Sequence, residues 1–300
     1  MWTTKNMPGQ TGKTVLVTGA NAGIGYETAL AFYQKGAKVI LAARNKDKAE
    51  QARNTMLQQN GTGSLDIALV DLSSLASVKN FAEDILQRYP QLHLLINNAG
   101  VMIPPASATS EGYELQFGVN HLAHFALTGY LFPLLNSTPG SRIVTVSSNA
   151  YLHGQIDFEN LRLENPYDPM REYAQSKLAN LLFTTELQRR IDAAGLQTRS
   201  IAAQPGANKT ELARHMSDAE FAAAVERIGD LMEPWQGALP SLYAASSEEA
   251  IPGALYGPDQ DGGYRGYPAY APLQPHALNE TVAKQLWELS EKITGVHFPV

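Results

Sequence analysis

A glycine-rich turn, Thr18-Gly19-Ala20-Asn21-Ala22-Gly23-Ile24-Gly25, follows directly on an aliphatic run at 14–18 and opens a helical pattern. A strand that passes through such a turn into a helix brings bare backbone N–H groups, and the positive end of the helix dipole, up to a diphosphate. Glycine is needed wherever a side chain would hold the phosphate off the backbone. Gly12-Lys13-Thr14, just upstream, ends like a triphosphate-binding loop, but Met7 stands where that loop requires its first glycine. The tripeptide also precedes the strand instead of following it, so nucleoside triphosphate chemistry is disfavoured.

The rest of the chain repeats the strand–helix alternation. Aliphatic runs at 14–18, 38–42, 65–70, 92–96, 142–147 and 198–202, and a short one near Leu255, are separated by amphipathic stretches. These start near Gly23, Lys46, Ser74, Gly112, Met170 and Pro234. Such alternation is the signature of βαβ units. It predicts an α/β fold: a single Rossmann-type doubly wound parallel sheet of about seven strands, with helices on both faces. The expected organisation is one domain over 1–300, with substrate-loop insertions at about 149–169 and 207–232 and a C-terminal extension over 252–300. The stretch 252–275 is crowded with glycine, proline and four tyrosines, Tyr256, Tyr264, Tyr267 and Tyr270, and breaks the alternation. A last helix follows, with Asn279 as cap, an apolar stripe of Val282, Leu286, Leu289 and Ile293, and Gly295 as stop.

Composition removes several chemistries. The chain has no Cys, which excludes disulfide scaffolds, thiolate metal sites and cysteine nucleophiles. With 23 Lys plus Arg against 29 Asp plus Glu, the net charge of -6 lacks the footprint of a nucleic-acid binder. No apolar run reaches the length of a membrane span, and the N-terminus lacks the pattern of a signal peptide, so a cytoplasmic protein is expected. His121 and His124 are three apart on a helical pattern with no third ligand evident, so helix packing is the better reading and no metal is expected. No G-x-S-x-G elbow supports a serine hydrolase.

The second aliphatic run ends in Ala42-Ala43-Arg44-Asn45. An NAD-binding unit places an acidic residue there for the ribose 2′-hydroxyl. Here no carboxylate repels a 2′-phosphate, and the guanidinium of Arg44 can hold one, so NADP(H) is expected over NAD(H). Asp71 after the third strand is placed to accept from an adenine amino group, with Leu72 alongside.

Further pieces complete a pattern: Asn97-Asn98-Ala99-Gly100 after the fourth run, Asn120, Ser147-Ser148 at the end of the fifth, Tyr173-Ala174-Gln175-Ser176-Lys177, and Pro205-Gly206 followed by Thr210. Together with the glycine turn and Asp71-Leu72, they resemble the short-chain dehydrogenase/reductase family over residues 13–210. SSNAYLHGQIDFENL and YAQSKLANLLF look like its retinol-dehydrogenase and WW-domain-oxidoreductase branch. The resemblance implies a cofactor site of Gly19, Asn21, Gly23, Ile24, Gly25, Arg44, Asp71, Leu72, Asn98, Ala99, Gly100, Tyr173, Lys177, Pro205, Gly206 and Thr210. It also implies a catalytic set of Asn120, Ser148, Tyr173 and Lys177, with Asn120 holding a water that links Lys177 to solvent.

The chemistry also follows from the residue types. Tyr173 and Lys177 are four apart in a helical stretch, so both project from one face. A phenol of ordinary pKa near ~10 must fall by about 3 to work near neutrality, roughly 4 kcal/mol, which a lysine cation and an oxidised nicotinamide can supply. Ser148 can hydrogen-bond the substrate oxygen as charge develops on it. By the family pattern Ser147 is the lesser candidate. Ser148 and Tyr173 lie 25 positions apart, about twice the spacing common in the family, and the added segment carries Tyr151, His153, Ile156 and Phe158. A wall for a bulky lipophilic carbonyl or alcohol is expected there. A second wall is expected from an amphipathic lid with Met216, Phe221, Val225, Ile228, Leu231 and Met232. Gln204 stands where this branch often has His, and Ala207-Asn208 replaces a more aliphatic pair.

The expected activity is NADP(H)-dependent hydride transfer between the nicotinamide and a lipophilic carbonyl/alcohol, with Tyr173 as general acid/base, by a monomer or homodimer. Two alternatives share the residues: a C=C reductase similar to the protochlorophyllide reductases, and a non-catalytic NADP(H) sensor.

Overall fold

The computed structural model describes residues 1–300. Eight strands form one sheet in the order β3-β2-β1-β4-β5-β6-β7-β8. They are β1 (Thr14–Thr18), β2 (Lys38–Ala43), β3 (Ser64–Leu69), β4 (Leu94–Asn97), β5 (Arg142–Val146), β6 (Arg199–Ala203), β7 (Leu255–Gln260) and β8 (Arg265–Ala271). Neighbours from β3 across to β7 pair parallel, and β8 returns antiparallel to β7.

Alternation along each strand divides the core between two layers. On β1, Leu16 joins one buried cluster with Phe81, Phe125, Phe132 and Trp287. Val15 and Val17 point to the opposite cluster with Phe32, Val39 and Leu239. The helices that supply these layers are α1 (Gly23–Gln34), α2 (Lys46–Leu57), α3 (Leu75–Arg88), α4 (Leu115–Phe117), α5 (Ala123–Ser137), α6 (Pro169–Ala193), α7 (Asp218–Ile228), α8 (Pro234–Ser246) and α9 (Glu280–Thr294). Their ends carry the chemistry that the sequence offers: Ser74 caps α3, Asp168 accepts from Met170 N and Arg171 N at α6, and Gly295 at φ 68° ends α9. None of the helices is long and apolar enough to cross a membrane.

The sheet differs from the sequence expectation at its edge, with eight strands instead of seven. β8 lies inside the Gly/Pro/Tyr-rich stretch, where Pro258 of β7 stands opposite Pro268 of β8. An edge strand tolerates proline because its outward N–H needs no ladder partner, so a segment that reads as a loop can still pair. A second difference lies in the helix expected from Gly112. It begins at Leu115, and Gly118–Leu122 forms a π-helical turn between α4 and α5. Such turns are frequent at functional sites, and this one presents Asn120.

The extension after β8 is a packing element. Beyond α9 the chain folds back so that Phe298 lies 4.6 Å from Trp287 and 5.0 Å from Phe125, between ring centroids. The insertion at 149–169 starts with a 3-10 turn, Asn149–His153, and buries Tyr151, Ile156 and Leu161 with Leu178 and Leu182 of α6. Gly154 is pressed onto α6: a Cβ there would stand 2.6 Å from Ala174 O.

Candidate active site

The strand order reverses between β1 and β4, and at such a switch point the loops leaving the carboxyl ends diverge and open a crevice. A cavity of about 600 Å³ occupies that position, within the roughly 300–1,000 Å³ typical of small-molecule and cofactor sites. One end is lined by Gly19, Asn21, Gly23, Ile24 and Gly25, and the side by Arg44, Asp71 and Leu72. Asn98, Ala99 and Gly100 form the floor, Tyr173 and Lys177 reach the far end, and Pro205 and Thr210 lie over it. Gly206, at φ +71°, and Ser148 stand just outside this lining, next to residues within it.

The glycine turn is built for close backbone approach. Gly19 adopts φ +68°, in the left-handed region that favours glycine, and Gly23 φ +53°. A Cβ on Gly25 would meet Gly19 O at 2.3 Å and Asn98 Nδ2 at 2.5 Å, so only glycine lets α1 start against the end of β1. Gly23 is packed by Thr210, whose Cγ2 would lie 3.3 Å from an added Cβ, which is how a residue so distant in sequence reaches this loop. The backbone donors, the N-terminus of α1 and the exposed cations Arg44 and Lys48 along one crevice fit an anionic dinucleotide.

Thr18 anchors the floor. Its Oγ1 accepts from Asn98 N and Ala99 N, both at 2.9 Å, and lies 2.9 Å from His124 Nε2. Asn120 O sits 3.0 Å from His124 Nδ1 and can only accept, so that nitrogen carries the proton and Nε2 accepts from Thr18. Burial holds His124 down to about 4, neutral as this arrangement requires. His121, buried and held down to about 3, lies 2.9 Å from Ser290 Oγ. Both histidines are thus tied into helix packing. Thr18 was visible in the sequence only as the first letter of the glycine turn, and the pairing of His124 with it depends on a contact across 106 positions.

Asn120 is fully buried. Its Oδ1 accepts from Val101 N at 2.8 Å, and its Nδ2 donates to Val101 O at 3.0 Å and Ser176 Oγ at 2.9 Å. The side chain therefore fixes the strap after Gly100 and the helix that carries Tyr173. Ser147 Oγ donates to Lys177 O, a structural contact that leaves Ser148 as the serine beside the phenol.

Lys177 Nζ is buried 5.5 Å from the centroid of the Tyr173 ring and donates to Val146 O at 3.3 Å. Without a nicotinamide the balance at the phenol is set by burial. Burial pushes the Tyr173 hydroxyl up to about 12, offset in part by a hydrogen bond with Ser148, and burial draws Lys177 down to about 8. At neutral pH the protein alone therefore presents a protonated phenol beside a charged ammonium, an arrangement suited to donating a proton.

Lys177 also has a stability signature. Its ordinary value of 10.5 is lowered to about 8 in the folded state, so between those values the unfolded chain holds the proton and the folded one does not. Stability therefore rises as pH passes from 8 to 10.5, and below 8 the burial penalty is fully present. Lys177→Met is expected to raise the urea midpoint near pH 7 and to lose that advantage near pH 10.5. An advantage that is equal at both pH values would show that the buried charge is not its source.

Four lining residues carry no signal of this role in the sequence. Lys48, in the first turn of α2, lines the cavity beside Arg44, and Glu211, Leu212 and Arg214 of the lid segment line its upper wall. A lysine on a polar helix face carries no signal until the fold turns it toward Arg44. The helix α7, expected as a lid, has the Ser217/Glu220 capping box and no buried residue, and none of its residues lines the cavity, whose wall on this side ends at Arg214.

Comparison with known proteins follows the same lines. Residues 13–220 match the family described as short chain dehydrogenase. Retinol dehydrogenase 14 of Mus musculus is 40% identical over 95% of this chain and 86% of its own length. Retinol dehydrogenase 11 of Homo sapiens is also 40% identical, over 95% and 86%. Among solved structures, an uncharacterized protein from Mycobacterium paratuberculosis superposes with a TM-score of 0.84 at 39% identity, over 100% of this chain and 99% of that one. The Pseudomonas aeruginosa RhlG/NADP active-site complex has a TM-score of 0.67 at 22% identity, over 82% and 94%, a likeness of fold. With its crevice, its glycine turn and its Tyr–Lys helix in the order that this family shares, the chain belongs to the short-chain dehydrogenases.

Proposed function

We propose that the protein is an NADP(H)-dependent oxidoreductase that interconverts a lipophilic carbonyl compound and its alcohol, retinoids among them, with Tyr173 as the general acid/base. The observation that carries this reading is the convergence of Tyr173, Lys177 and Ser148 at one end of a crevice whose other end is the glycine turn. The names of the relatives, retinol dehydrogenases, support the lipophilic substrate class.

When bound, the dinucleotide supplies or accepts a hydride at its nicotinamide ring. Everything else falls to the chain. In the reductive direction Tyr173 donates its hydroxyl proton to the carbonyl oxygen as charge develops there, and Ser148 donates a hydrogen bond to the same oxygen. The Lys177 ammonium stabilises the phenolate left behind, and in the oxidative direction that phenolate takes the proton back. Asn120 holds the strap after Gly100 and the turn of α6 that contains Ser176. By family analogy it also positions the water that returns a proton to Lys177. The buried floor around Tyr173 and Lys177 keeps solvent from competing for the proton.

Arg44 and Lys48 would hold the 2′-phosphate. Arg44→Asp removes a charge-assisted donor and sets a carboxylate against the phosphate, and is expected to weaken NADPH binding by about 10- to 100-fold while NADH binding holds or improves. Fluorescence titration with both cofactors reads this directly. An unchanged ratio of the two affinities would sink the 2′-phosphate role. The reading as a whole is tested by NADPH oxidation with retinal, alkanals and aromatic ketones, compared between wild type and Tyr173→Phe.

A further inference from the structure

The amide of Gln204 lies at a junction that the proposed chemistry has not used. Gln204 follows the last residue of β6 and is 2% exposed. Its Oε1 accepts from Gly206 N at 2.8 Å, and its Nε2 donates to Gly263 O at 2.9 Å in the turn between β7 and β8. Its own N donates to Tyr256 O at 2.8 Å. One side chain therefore joins the turn that leaves β6 to the hairpin at the sheet edge.

The surroundings are shaped to this amide. A Cβ on Gly257 of β7 would stand 2.3 Å from Gln204 Nε2, so a glycine there makes room for it. The hairpin turn passes through Asp261, Gly262 and Gly263 at φ 50°, 67° and 86°, which brings its carbonyls inward. Asn149, next to Ser148, donates to Gly262 O at 3.2 Å, and Ala207 N donates to Tyr264 O at 3.0 Å. Gly206, at φ +71°, is enclosed: a Cβ there would meet Tyr264 O at 2.6 Å and Met232 Cε at 2.9 Å. The turn 205–207 is thus clamped between the hairpin and the base of the lid, with Gln204 as the one side chain that bonds both the turn and the hairpin.

We infer that Gln204 is a positioning residue that sets the Pro205–Gly206 turn over the nicotinamide half of the cofactor site and holds the β7–β8 turn as the wall beside Ser148. This rests on the cofactor reading above. Loss of the amide leaves Gly206 N and Gly263 O without this partner, so the turn loosens where the nicotinamide would lie. The adenosine half, held by the glycine turn, Arg44 and Asp71, lies at the other end of the crevice.

The test uses two ligands on the full chain. For Gln204→Leu, NADPH affinity is expected to fall about tenfold, whereas affinity for 2′,5′-ADP, which lacks the nicotinamide, stays within about twofold. Equal losses for both ligands would make Gln204 a general structural residue and overturn the assignment, as would no change in either. Should Gln204→Leu fold poorly, Gln204→Glu keeps an acceptor for Gly206 N and is expected to weaken NADPH by less than tenfold, again with 2′,5′-ADP unmoved. A matching loss of 2′,5′-ADP in that variant contradicts the inference. Wild-type protein that binds neither ligand would instead overturn the cofactor reading itself.

Discussion

Replacing Tyr173 by phenylalanine is expected to lower kcat by about 10²- to 10⁴-fold, the range that a single general acid/base contributes. The ring is 4% exposed on a helix that is buried along most of its length, so the variant keeps its packing and loses only the hydroxyl. NADPH affinity should therefore stay within about twofold, and the loss should fall on kcat, as for an interaction made in the transition state. Steady-state rates beside a cofactor titration separate the two. Because burial holds the phenol up near 12 in the protein alone, the carbonyl-reducing direction should run well at neutral pH, where the proton to be donated is in place. The oxidative direction needs the phenolate and should gain as pH rises. A Tyr173→Phe protein that turns over like wild type would remove the residue from the chemistry.

The second large effect is expected at Gly25, for reasons of space. An added methyl would approach Gly19 O at 2.3 Å and Asn98 Nδ2 at 2.5 Å. Neither neighbour can yield: Asn98 Nδ2 donates to Thr18 O at 2.8 Å, and Gly19 N donates to Ala42 O at 2.8 Å. Relief must come from moving the start of α1 away from β1, which carries the helix N-terminus away from the phosphates. Gly25→Ala should cost about 1–3 kcal/mol of stability by overpacking and weaken NADPH binding by about 100-fold, equivalent to about 2.7 kcal/mol. Gly9→Ala, with no atom within 4 Å of the new Cβ, serves as the control and should change neither. Urea unfolding and fluorescence titration of the two variants make the comparison. Cofactor affinity retained in Gly25→Ala would mean that the crevice does not bind its ligand through this loop.

Much of this was readable from the chain because the relevant signals are local. Strands β1 to β6 come from contiguous aliphatic runs, β7 shows only a short start at Leu255, and the glycine turn states its own backbone demands. Tyr173 and Lys177 share a helix face by spacing alone. What escaped sequence reading depends on contacts between distant segments. β8 hides in a stretch rich in glycine and proline because edge pairing relaxes the demands that identify a strand. The π-helical turn at Gly118–Leu122 leaves no compositional trace. The engagement of Asn120 with Val101 and Ser176, the bond between Thr18 and His124, and the Gln204 clamp each join residues from separate elements. The phenol's high pKa is likewise a consequence of burial, which the Tyr–Lys spacing does not report. The long insertion after Ser148, expected to wall the substrate site, proves to pack Tyr151, Ile156 and Leu161 down onto α6. Its apolar content is accounted for at least in part by the core, and a substrate contact would come from its remaining surface.

The central claim is that this crevice moves a hydride between a nicotinamide and a lipophilic carbonyl carbon under control of Tyr173. The most direct measurement is mass spectrometry of the alcohol formed from retinal with NADPH that carries deuterium at both C4 positions of the nicotinamide. One deuterium on the carbinol carbon with wild-type protein, and a product yield lowered by orders of magnitude with Tyr173→Phe, is the predicted result. Alcohol formed without deuterium, or equal yields from the two proteins, would contradict it.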